Sequence, residues 1–252
     1  MDSGPGIADL DRMGRDGVST SGSSGTGLGA IMRLSDAHDV HTSPEGTVIA
    51  ARLRGARAAP GPGLDLAALL DRYPGADVCG DGWGLREVEG ALMLLVCDGL
   101  GHGRGAHEAT QAVRDAFAAQ AEASPASSLA GLSDAAARTR GAVAMVLRAE
   151  ADGALTYAGL GNISGLIASR HGTRRLMGRD GRLGAATRRP SEQPEALARG
   201  ETLIVHSDSI RTLRDMERRS GLLARWPLTV AAVLLRDHAR GNDDAGVLVL
   251  RG

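Results

Sequence analysis

Four aspartates stand where apolar stretches of the sequence give way to polar or glycine-rich turns. Asp98 follows the run ALMLLVC, Asp208 follows LIVHS, Asp81 lies within CGDGW, and Asp243 opens DDAGVLVL. Carboxylates scattered through a protein core are costly, whereas carboxylates that converge can hold cations. Oxygen ligands of this kind suit hard divalent cations such as Mg²⁺ and Mn²⁺. The positions therefore predict a metal centre assembled from strand ends that are far apart in the chain.

The stretch around Asp98 carries most of this prediction. Residues 91–97 form a continuous apolar run of strand length, which we expect to be buried on both faces of a sheet. Glycine then occupies every second position from Gly99 to Gly105, so backbone carbonyl groups of the turn are free to point the same way as the Asp98 carboxylate. An isolated Asp-Gly pair commonly just begins a loop. The three further aspartates at comparable junctions favour the metal site.

Five motifs occur in the order seen in one enzyme family: CGDGW, VCDGLGHG, TYAGLGNI, LIVHSDS and NDDAGVLVL. Residues 64–252 resemble the PPM-type, SpoIIE-like serine/threonine phosphatases of bacterial regulatory systems, and look most like those that act on anti-anti-sigma factors. The resemblance implies an αββα sandwich and a metal-dependent phosphoprotein phosphatase. The implied substrate is a phosphorylated regulatory protein, a STAS-type anti-anti-sigma factor.

The resemblance also implies roles for single residues. Two cations, Mn²⁺ or Mg²⁺, about 3.5 to 4 Å apart, would activate a water for in-line attack on phosphorus. Asp98 would bridge both cations, and the Gly99 carbonyl would hold one of them. Asp208 and Asp243 would hold the other, and Asp81 would act directly or through water.

Several positions leave alternatives open or depart from the family. Asp244 rivals Asp243 as a ligand, although the family uses the first acid of the pair. Ser209 stands where a glycine is common, and Gly246 replaces a Thr or Ser, which could weaken the support of Asp243. His102 could protonate the leaving serine oxygen, but it could equally cap a helix or bond to a turn. Three further histidines, His107, His206 and His238, are expected to make structural contacts or to face solvent. Gly161 and Asn162 are expected to form a turn.

Hydrophobic periodicity predicts the elements that must position these residues. The order of predicted elements is three strands, two helices, three strands, one strand, two helices and one strand, which indicates an α+β fold with two antiparallel sheets, each covered by a helix pair. Residues 64–72 are expected to form a short helix or an entry segment, residues 142–177 a β-meander, residues 178–199 a loop, and residues 210–219 a helix. A hairpin turn is expected at Glu89-Gly90.

The first 54 residues predict a different unit. DSGPGI and GSSGTGLGA resemble the two glycine-rich boxes of GHKL-type ATP-binding domains, close to those of anti-sigma-factor kinases. The resemblance implies that Asp2 reads the adenine and that Gly25, Gly27 and Gly29 wrap the phosphates. The helix that carries the family's catalytic Glu and its Mg²⁺-binding Asn is missing. We expect residues 1–54 to be a remnant that leans on its neighbour, with ATP binding left open, and residues 55–63 to be a linker.

Composition excludes several classes of function. All 29 basic residues are arginine, which rules out a Schiff-base or Walker-type lysine in this chain, and the net charge of −1 gives no reason to expect a nucleic-acid or membrane partner. No long apolar span is present, so we expect a cytoplasmic protein. The two cysteines, Cys79 and Cys97, are expected in the core. Arginine pairs at 174–175, 188–189 and 218–219 are expected on solvated faces, although one of them could recognise a phosphate or an acidic partner.

Three hypotheses of function result. The leading one is the phosphatase. The second is an interaction module that keeps the fold in a sigma-factor partner-switching system but lacks catalysis, against which the four intact acids argue. The third is an anti-sigma kinase-like protein, which the incomplete nucleotide-binding segment disfavours.

Overall fold

The computed structural model describes residues 1–19, 22, 24–53, 64–185 and 190–252. The predicted linker at residues 55–63 and the arginine pair at 188–189 lie outside the described residues. In chain order the elements are α1 (Leu10–Met13), α2 (Gly27–Leu34), β1 (Ala37–Ser43), β2 (Gly46–Arg52), β3 (Asp65–Asp71), β4 (Asp81–Val88), β5 (Ala91–Gly99), α3 (Arg104–Ala119), α4 (Pro125–Ala136), β6 (Ala142–Ala149), β7 (Ala154–Leu160), β8 (Ser164–Ser169), β9 (Gly172–Met177), β10 (Gln193–Ala196), β11 (Thr202–His206), a 3₁₀ helix (Met216–Arg219), α5 (Ser220–Leu223), α6 (Pro227–His238) and β12 (Ala245–Arg251).

Two five-stranded antiparallel sheets form the body of the molecule. The first has the strand order β10-β7-β6-β5-β4 and the second the order β3-β12-β11-β8-β9. Helices α3 and α4 cover the outer face of the first sheet, and α6 covers the outer face of the second. The predicted α+β sandwich is confirmed.

Strand β5 shows why the apolar run is continuous. Leu94 and Val96 belong to the buried layer between the two sheets. Met93, Leu95 and Cys97 point the other way, into the layer beneath α3 and α4. Since β4 and β6 flank β5 on both sides, every face of this strand is covered, as the sequence predicts.

The N-terminal segment adds a two-stranded hairpin, β1–β2, that packs on α6. Val48 is 2% exposed and belongs to the same buried cluster as the apolar face of α6. The Asp39 carboxylate accepts hydrogen bonds from Trp226 N, at 2.8 Å, and from the Arg225 guanidinium, at 3.1 Å. The hairpin therefore leans on the neighbouring unit, as expected for a segment too small to bury a core of its own.

Four predicted elements are wrong in part. Residues 65–71 form an edge strand, β3, instead of a helix, because β12 supplies a pairing partner from the far end of the chain. The expected meander divides between the sheets: β6 and β7 lie in the first, and β8 and β9 in the second. Most of residues 210–219 are not helical; only the 3₁₀ turn at Met216–Arg219 is. The polar loop at 178–199 contains the short edge strand β10.

Within the described ranges, no helix is both long and apolar enough to cross a membrane.

Candidate metal centre

Asp81 and Asp98 face each other across neighbouring strands at one end of the first sheet. Asp81 is the first residue of β4 and Asp98 is the second-to-last residue of β5, and the antiparallel register pairs them directly. Asp81 is only 4% exposed, and neither of its carboxylate oxygens has a hydrogen-bond partner among the described residues. A buried carboxylate without donors is costly, so these oxygens are free to accept a cation.

Asp208 and Asp243 approach from the second sheet. Asp208 follows the end of β11 and Asp243 precedes the start of β12, and these two strands are antiparallel neighbours. Ser207 ties the two ends together, because its N–H donates to Gly246 O at 3.1 Å and its Oγ accepts from Gly246 N at 2.9 Å. The two aspartates therefore lie at the same edge of the sheet.

The four carboxylates influence one another. Burial raises the pKa of Asp98, and the negative charges of Asp81, Asp208 and Asp243 raise it further. Burial likewise raises the pKa of Asp81; interactions with the side chains of Ser207 and Asp98 lower it in part, and the charges of Asp244 and Asp208 raise it again. Such mutual repulsion is what a cluster of carboxylates shows when no cation neutralises it. The four carboxylates are thus near enough to one another for their charges to interact, and their role as metal ligands stays a prediction.

Carboxylate side chains do not complete a site by themselves. Within the described part of the chain, no three His, Cys, Asp or Glu side chains are grouped so as to hold one ion. A cation here would also need backbone carbonyls or water. The donor set fits Mg²⁺ or Mn²⁺ in its chemistry, since both cations prefer oxygen ligands and Mg²⁺ usually keeps several waters.

The adjacent acids Asp243 and Asp244 have different surroundings. Asp244 is 3% exposed, and its two oxygens accept hydrogen bonds from Tyr73 N, at 2.8 Å, and from Gly80 N, at 2.7 Å. Asp243 is partly exposed and uses one oxygen to accept the N–H of Asp244 at 2.9 Å. Asp244 therefore fastens the entry of β4 to the second sheet, which leaves Asp243 as the acid with an available oxygen.

Gly99 and Gly246 provide space at the site. A Cβ added at Gly99 would lie 2.1 Å from the backbone oxygen of Ala106, so the first turn of α3 crosses directly over this residue. A Cβ added at Gly246 would lie 3.1 Å from Oδ2 of Asp81. The glycine that departs from the family pattern at position 246 therefore borders the carboxylate of Asp81.

Of the four histidines considered in the sequence analysis, one has an exposed ring and three have structural contacts. His102 is exposed, its ring centroid lies 5.9 Å from that of Tyr73, and it does not cap α3, whose N-cap is Gly103. The ring nitrogen Nδ1 of His107 lies 2.9 Å from Cys79 O, that of buried His206 lies 2.8 Å from Ser207 O, and His238 contacts Arg219. The helix-cap alternative for His102 is excluded, and its catalytic role stays a prediction.

Both cysteines are structural thiols. Cys97 is fully buried within β5. Burial raises the pKa of Cys79 to about 12, which keeps it protonated at neutral pH. Metal ligation by cysteine requires the thiolate, so neither residue is suited to it.

Asn162 and Arg140 were missed as candidates by sequence reasoning. Asn162 was assigned to a turn, yet its Nδ2 donates to Oδ2 of Asp208 at 2.6 Å. Arg140 lies along the turn after Asp98: a Cβ at Gly105 would be 2.5 Å from its Nε, and one at Gly101 would be 3.2 Å from its Nη1. Among the described residues Arg140 has no acidic partner. A polar residue at a strand end, the criterion applied to the aspartates, would have identified Asn162.

The predicted nucleotide-binding residues lie on two separate parts of the N-terminal segment. Asp2 supports the β1–β2 hairpin, because its Oδ1 accepts from Gly4 N at 2.9 Å and from Thr47 N at 3.2 Å. Gly25 lies against the backbone of Val18, and Gly27 and Gly29 belong to α2. The GHKL resemblance stays a prediction.

Comparison with known proteins identifies the family. The family model described as Stage II sporulation protein E (SpoIIE) matches residues 88–251. A comparison with curated protein sequences gave no match.

Solved structures agree with this match. A chain from a structure of the bacterial stressosome is 26% identical, with a TM-score of 0.67 over 75% of this chain and 99% of the other. RsbX, solved in complex with magnesium, is 21% identical, with a TM-score of 0.65 over 74% of this chain and 94% of its own. The PP2C phosphatase domain of SpoIIE from Bacillus subtilis is 18% identical, with a TM-score of 0.63 over 75% of this chain and 63% of the other. With its αββα sandwich and its match over residues 88–251, this chain belongs to the SpoIIE family of PP2C-type phosphatases.

Proposed function

We propose that this chain is a metal-dependent phosphatase that removes phosphate from phosphoserine or phosphothreonine on a regulatory protein. The observation that carries the proposal is the convergence of Asp81, Asp98, Asp208 and Asp243 on one end of the sandwich, where Asp81 has two buried oxygens without partners. Four such acids destabilise a metal-free fold, so their presence at one place favours a role in cation binding.

The ligand roles follow the resemblance residue by residue. Asp98 would be shared between two cations, the Gly99 carbonyl would serve one of them, and Asp208 with Asp243 would serve the other. Asp81 would bind directly or through water. Bound divalent cations supply an activated water and neutralise the charge that develops on the phosphoryl oxygens.

Other residues of the chain hold these ligands and the substrate. Asn162 orients Asp208 through its hydrogen bond, and Ser207 fixes the spacing of the β11 and β12 ends. Arg140 offers an unpaired guanidinium beside the turn after Asp98, which suits an incoming phosphoryl group. As water oxygen bonds to phosphorus and the phosphorus–serine oxygen bond breaks, exposed His102 would donate a proton to the leaving oxygen.

The substrate we propose is a STAS-type anti-anti-sigma protein. This part rests on the five sequence motifs, and it agrees with the kinds of protein found among the structural neighbours. These include RsbX and a Mycobacterium tuberculosis protein that carries RsbU and RsbW domains, which is 19% identical to this chain.

The test is turnover of p-nitrophenyl phosphate and of phosphorylated STAS proteins, with and without Mn²⁺ or Mg²⁺. We expect turnover that depends on the cation. Asp98→Asn should lower the turnover rate by about 100-fold or more, because it removes several kcal/mol of transition-state stabilisation. Asp65→Asn is the control, since Asp65 pairs with Arg251 on the surface. If the wild-type protein turns over none of these substrates with either cation, the chain is a non-catalytic interaction module.

A further inference from the structure

A groove of about 840 Å³ lies between the β1–β2 hairpin and helices α5 and α6. It belongs to the outer side of the second sheet, because α6 covers that face. None of the four clustered aspartates lines it, and none of the three N-terminal glycines predicted to bind nucleotide does. The groove is therefore separate from the four clustered aspartates and from the N-terminal glycines, whereas Ser3, which follows the predicted adenine-binding Asp2, lines it.

Arg236 is the unusual residue of this groove. Its side chain is only 4% exposed, and its Nε donates to Asp237 at 2.7 Å. Its two terminal nitrogens, Nη1 and Nη2, are buried and have no hydrogen-bond partner among the described residues. A buried guanidinium that leaves four N–H groups unsatisfied is costly unless a further acceptor is bound.

Positive charge dominates the rest of the groove. Three more arginines line it, against the two acids Glu45 and Asp237: they are Arg218, Arg219 and Arg225. Arg225 is partly neutralised by Asp39, whereas Arg219 contacts only the ring of His238, and Arg218 has no acidic partner within the described residues. Four arginines therefore line the groove together with two acids, while Asp39 pairs with Arg225 and the charge of Arg236 also acts on the nearby carboxylate of Asp2.

Two histidines that line the groove, His41 and His238, have lowered pKa values. The pKa of His41 is lowered by burial and then by Arg236 and Arg225. The pKa of His238 is lowered by burial and then by Arg219. Burial is the main cause in both cases and the nearby guanidinium groups add to it, so both rings favour the neutral form.

We propose that this groove binds a small phosphate-bearing ligand, with Arg236 at its base and Arg218 and Arg219 at its rim. Guanidinium groups bind phosphate oxygens through paired, charge-assisted hydrogen bonds, which would satisfy the terminal nitrogens of Arg236. Because the groove is lined by both the hairpin and α6, the ligand would also brace the N-terminal segment against the phosphatase fold.

The experiment is calorimetric titration of the full-length protein with inorganic phosphate, pyrophosphate and ATP in EDTA. Without divalent cations the four clustered carboxylates repel anions at the proposed metal centre, and the arginine variants described below assign any remaining binding to the groove. We expect saturable one-site binding to the wild-type protein, accompanied by a rise in the thermal unfolding midpoint. The comparison of inorganic phosphate with ATP distinguishes a phosphate site from a nucleotide site.

Arg236→Met and Arg219→Gln are the test variants. Each should weaken binding at least about tenfold, because each removes charge-assisted hydrogen bonds. Met keeps the length of the side chain and removes the unsatisfied nitrogens, so Arg236→Met should remain folded, and exposed Arg219 tolerates change without a packing cost. Arg138→Gln is the matched control, since this exposed arginine follows α4 and does not line the groove.

Three outcomes overturn the proposal. The wild-type protein binds none of the three anions at millimolar concentration, or both variants bind as tightly as wild type, or Arg138→Gln weakens binding as much as they do. None of these outcomes affects the proposed phosphatase, whose carboxylates lie elsewhere.

Discussion

Asp81 and Asp98 are ionisable partners on paired strands, and in the absence of cations their charges oppose each other. The pKa of each is raised, mainly by burial, and the negative charges of neighbouring carboxylates contribute to the rise. If the pKa of a carboxyl group is higher in the folded chain than in the unfolded chain, the group loses its proton at a lower pH in the unfolded chain. A rise in pH therefore favours unfolding. Cations reverse this preference because they favour the ionised form.

The direction of these pKa shifts predicts how the stability of the protein depends on pH. In EDTA, the free energy of unfolding of wild type should fall relative to that of Asp98→Asn as the pH rises from about 4 towards neutrality. Urea denaturation at pH 5 and pH 8 measures the difference. At pH 8, saturating Mn²⁺ should reverse this difference in the free energy of unfolding between the two proteins. A difference between the two proteins that is the same at both pH values would show that Asp98 is not held in a repulsive cluster.

Asn162 gives a second prediction at the scale of the residue. Loss of its 2.6 Å hydrogen bond to Asp208 leaves that carboxylate free to rotate. Asn162→Ala should therefore weaken Mn²⁺ binding by about 10- to 100-fold, while the free energy of unfolding without metal changes little. Asn242→Ala is the control, since Asn242 is exposed and borders Asp243 in the sequence. Equal Mn²⁺ affinity in the two variants would remove Asn162 from the site.

At the scale of the element, β4 carries a glycine face that admits α3. A Cβ at Gly82 would lie 2.4 Å from Thr110 Cγ2 and 2.8 Å from Arg114 Cδ. The hydroxyl of Thr110 also donates to Gly80 O, which fastens the helix to the entry of the strand. The close approach of α3 thus fixes the strand on which Asp81 stands.

Gly82→Ala should therefore destabilise the fold. We expect a loss of about 1–3 kcal/mol in the free energy of unfolding, because the added methyl group overpacks the contact with α3. Gly221→Ala provides the comparison: its added Cβ would meet nothing within 4 Å, and alanine favours the helix α5 by about 1 kcal/mol at most. Denaturation in urea measures both. A Gly82→Ala protein as stable as wild type would mean that α3 and β4 are not in this close contact.

Sequence reasoning succeeded where local pattern decides the structure. The continuous run of β5 and the acids at its end and at the end of β11 follow from hydrophobicity and turn residues alone. It failed where distant pairing decides: residues 65–71 are a strand because β12 lies beside them, and the turn at Gly161–Ile163 passes from one sheet to the other. No local signal separates these cases from a helix or a simple meander. The position of Asn162 at a strand end can be read from the sequence, but its contact with Asp208 joins residues 46 positions apart and cannot.

At the scale of the whole molecule, the Asp39 carboxylate joins the hairpin to the phosphatase fold through Arg225 and the backbone N–H of Trp226. The pKa of Asp39 is lowered: burial alone would raise it, but the N–H of Trp226 and the Arg225 guanidinium outweigh burial. The guanidinium of Arg52 also stacks over the Trp226 ring, 5.5 Å from its centroid. The hairpin is thus held by polar contacts around Trp226 in addition to Val48.

Asp39→Ala should loosen this attachment. The substitution removes the carboxylate that accepts hydrogen bonds from Trp226 N and Arg225, which should lower the free energy of unfolding by about 1–3 kcal/mol. The amide protons of β1 and β2 should therefore exchange faster with solvent. Asp65→Ala removes an exposed partner of Arg251 and should cost at most about 1 kcal/mol. Hydrogen exchange read by mass spectrometry compares the two. Unchanged protection of the hairpin in Asp39→Ala would contradict this description.

The central claim is that the four aspartates hold divalent cations, and an anomalous difference map of crystals soaked in Mn²⁺ tests it most directly. We predict two neighbouring peaks, with Asp98 contacting both, Asp208 and Asp243 contacting one, and Asp81 contacting a peak directly or through water. The same soak of Asp98→Asn crystals should lose at least one peak. Mn²⁺ bound elsewhere on the protein, with no density at these carboxylates, would contradict the claim.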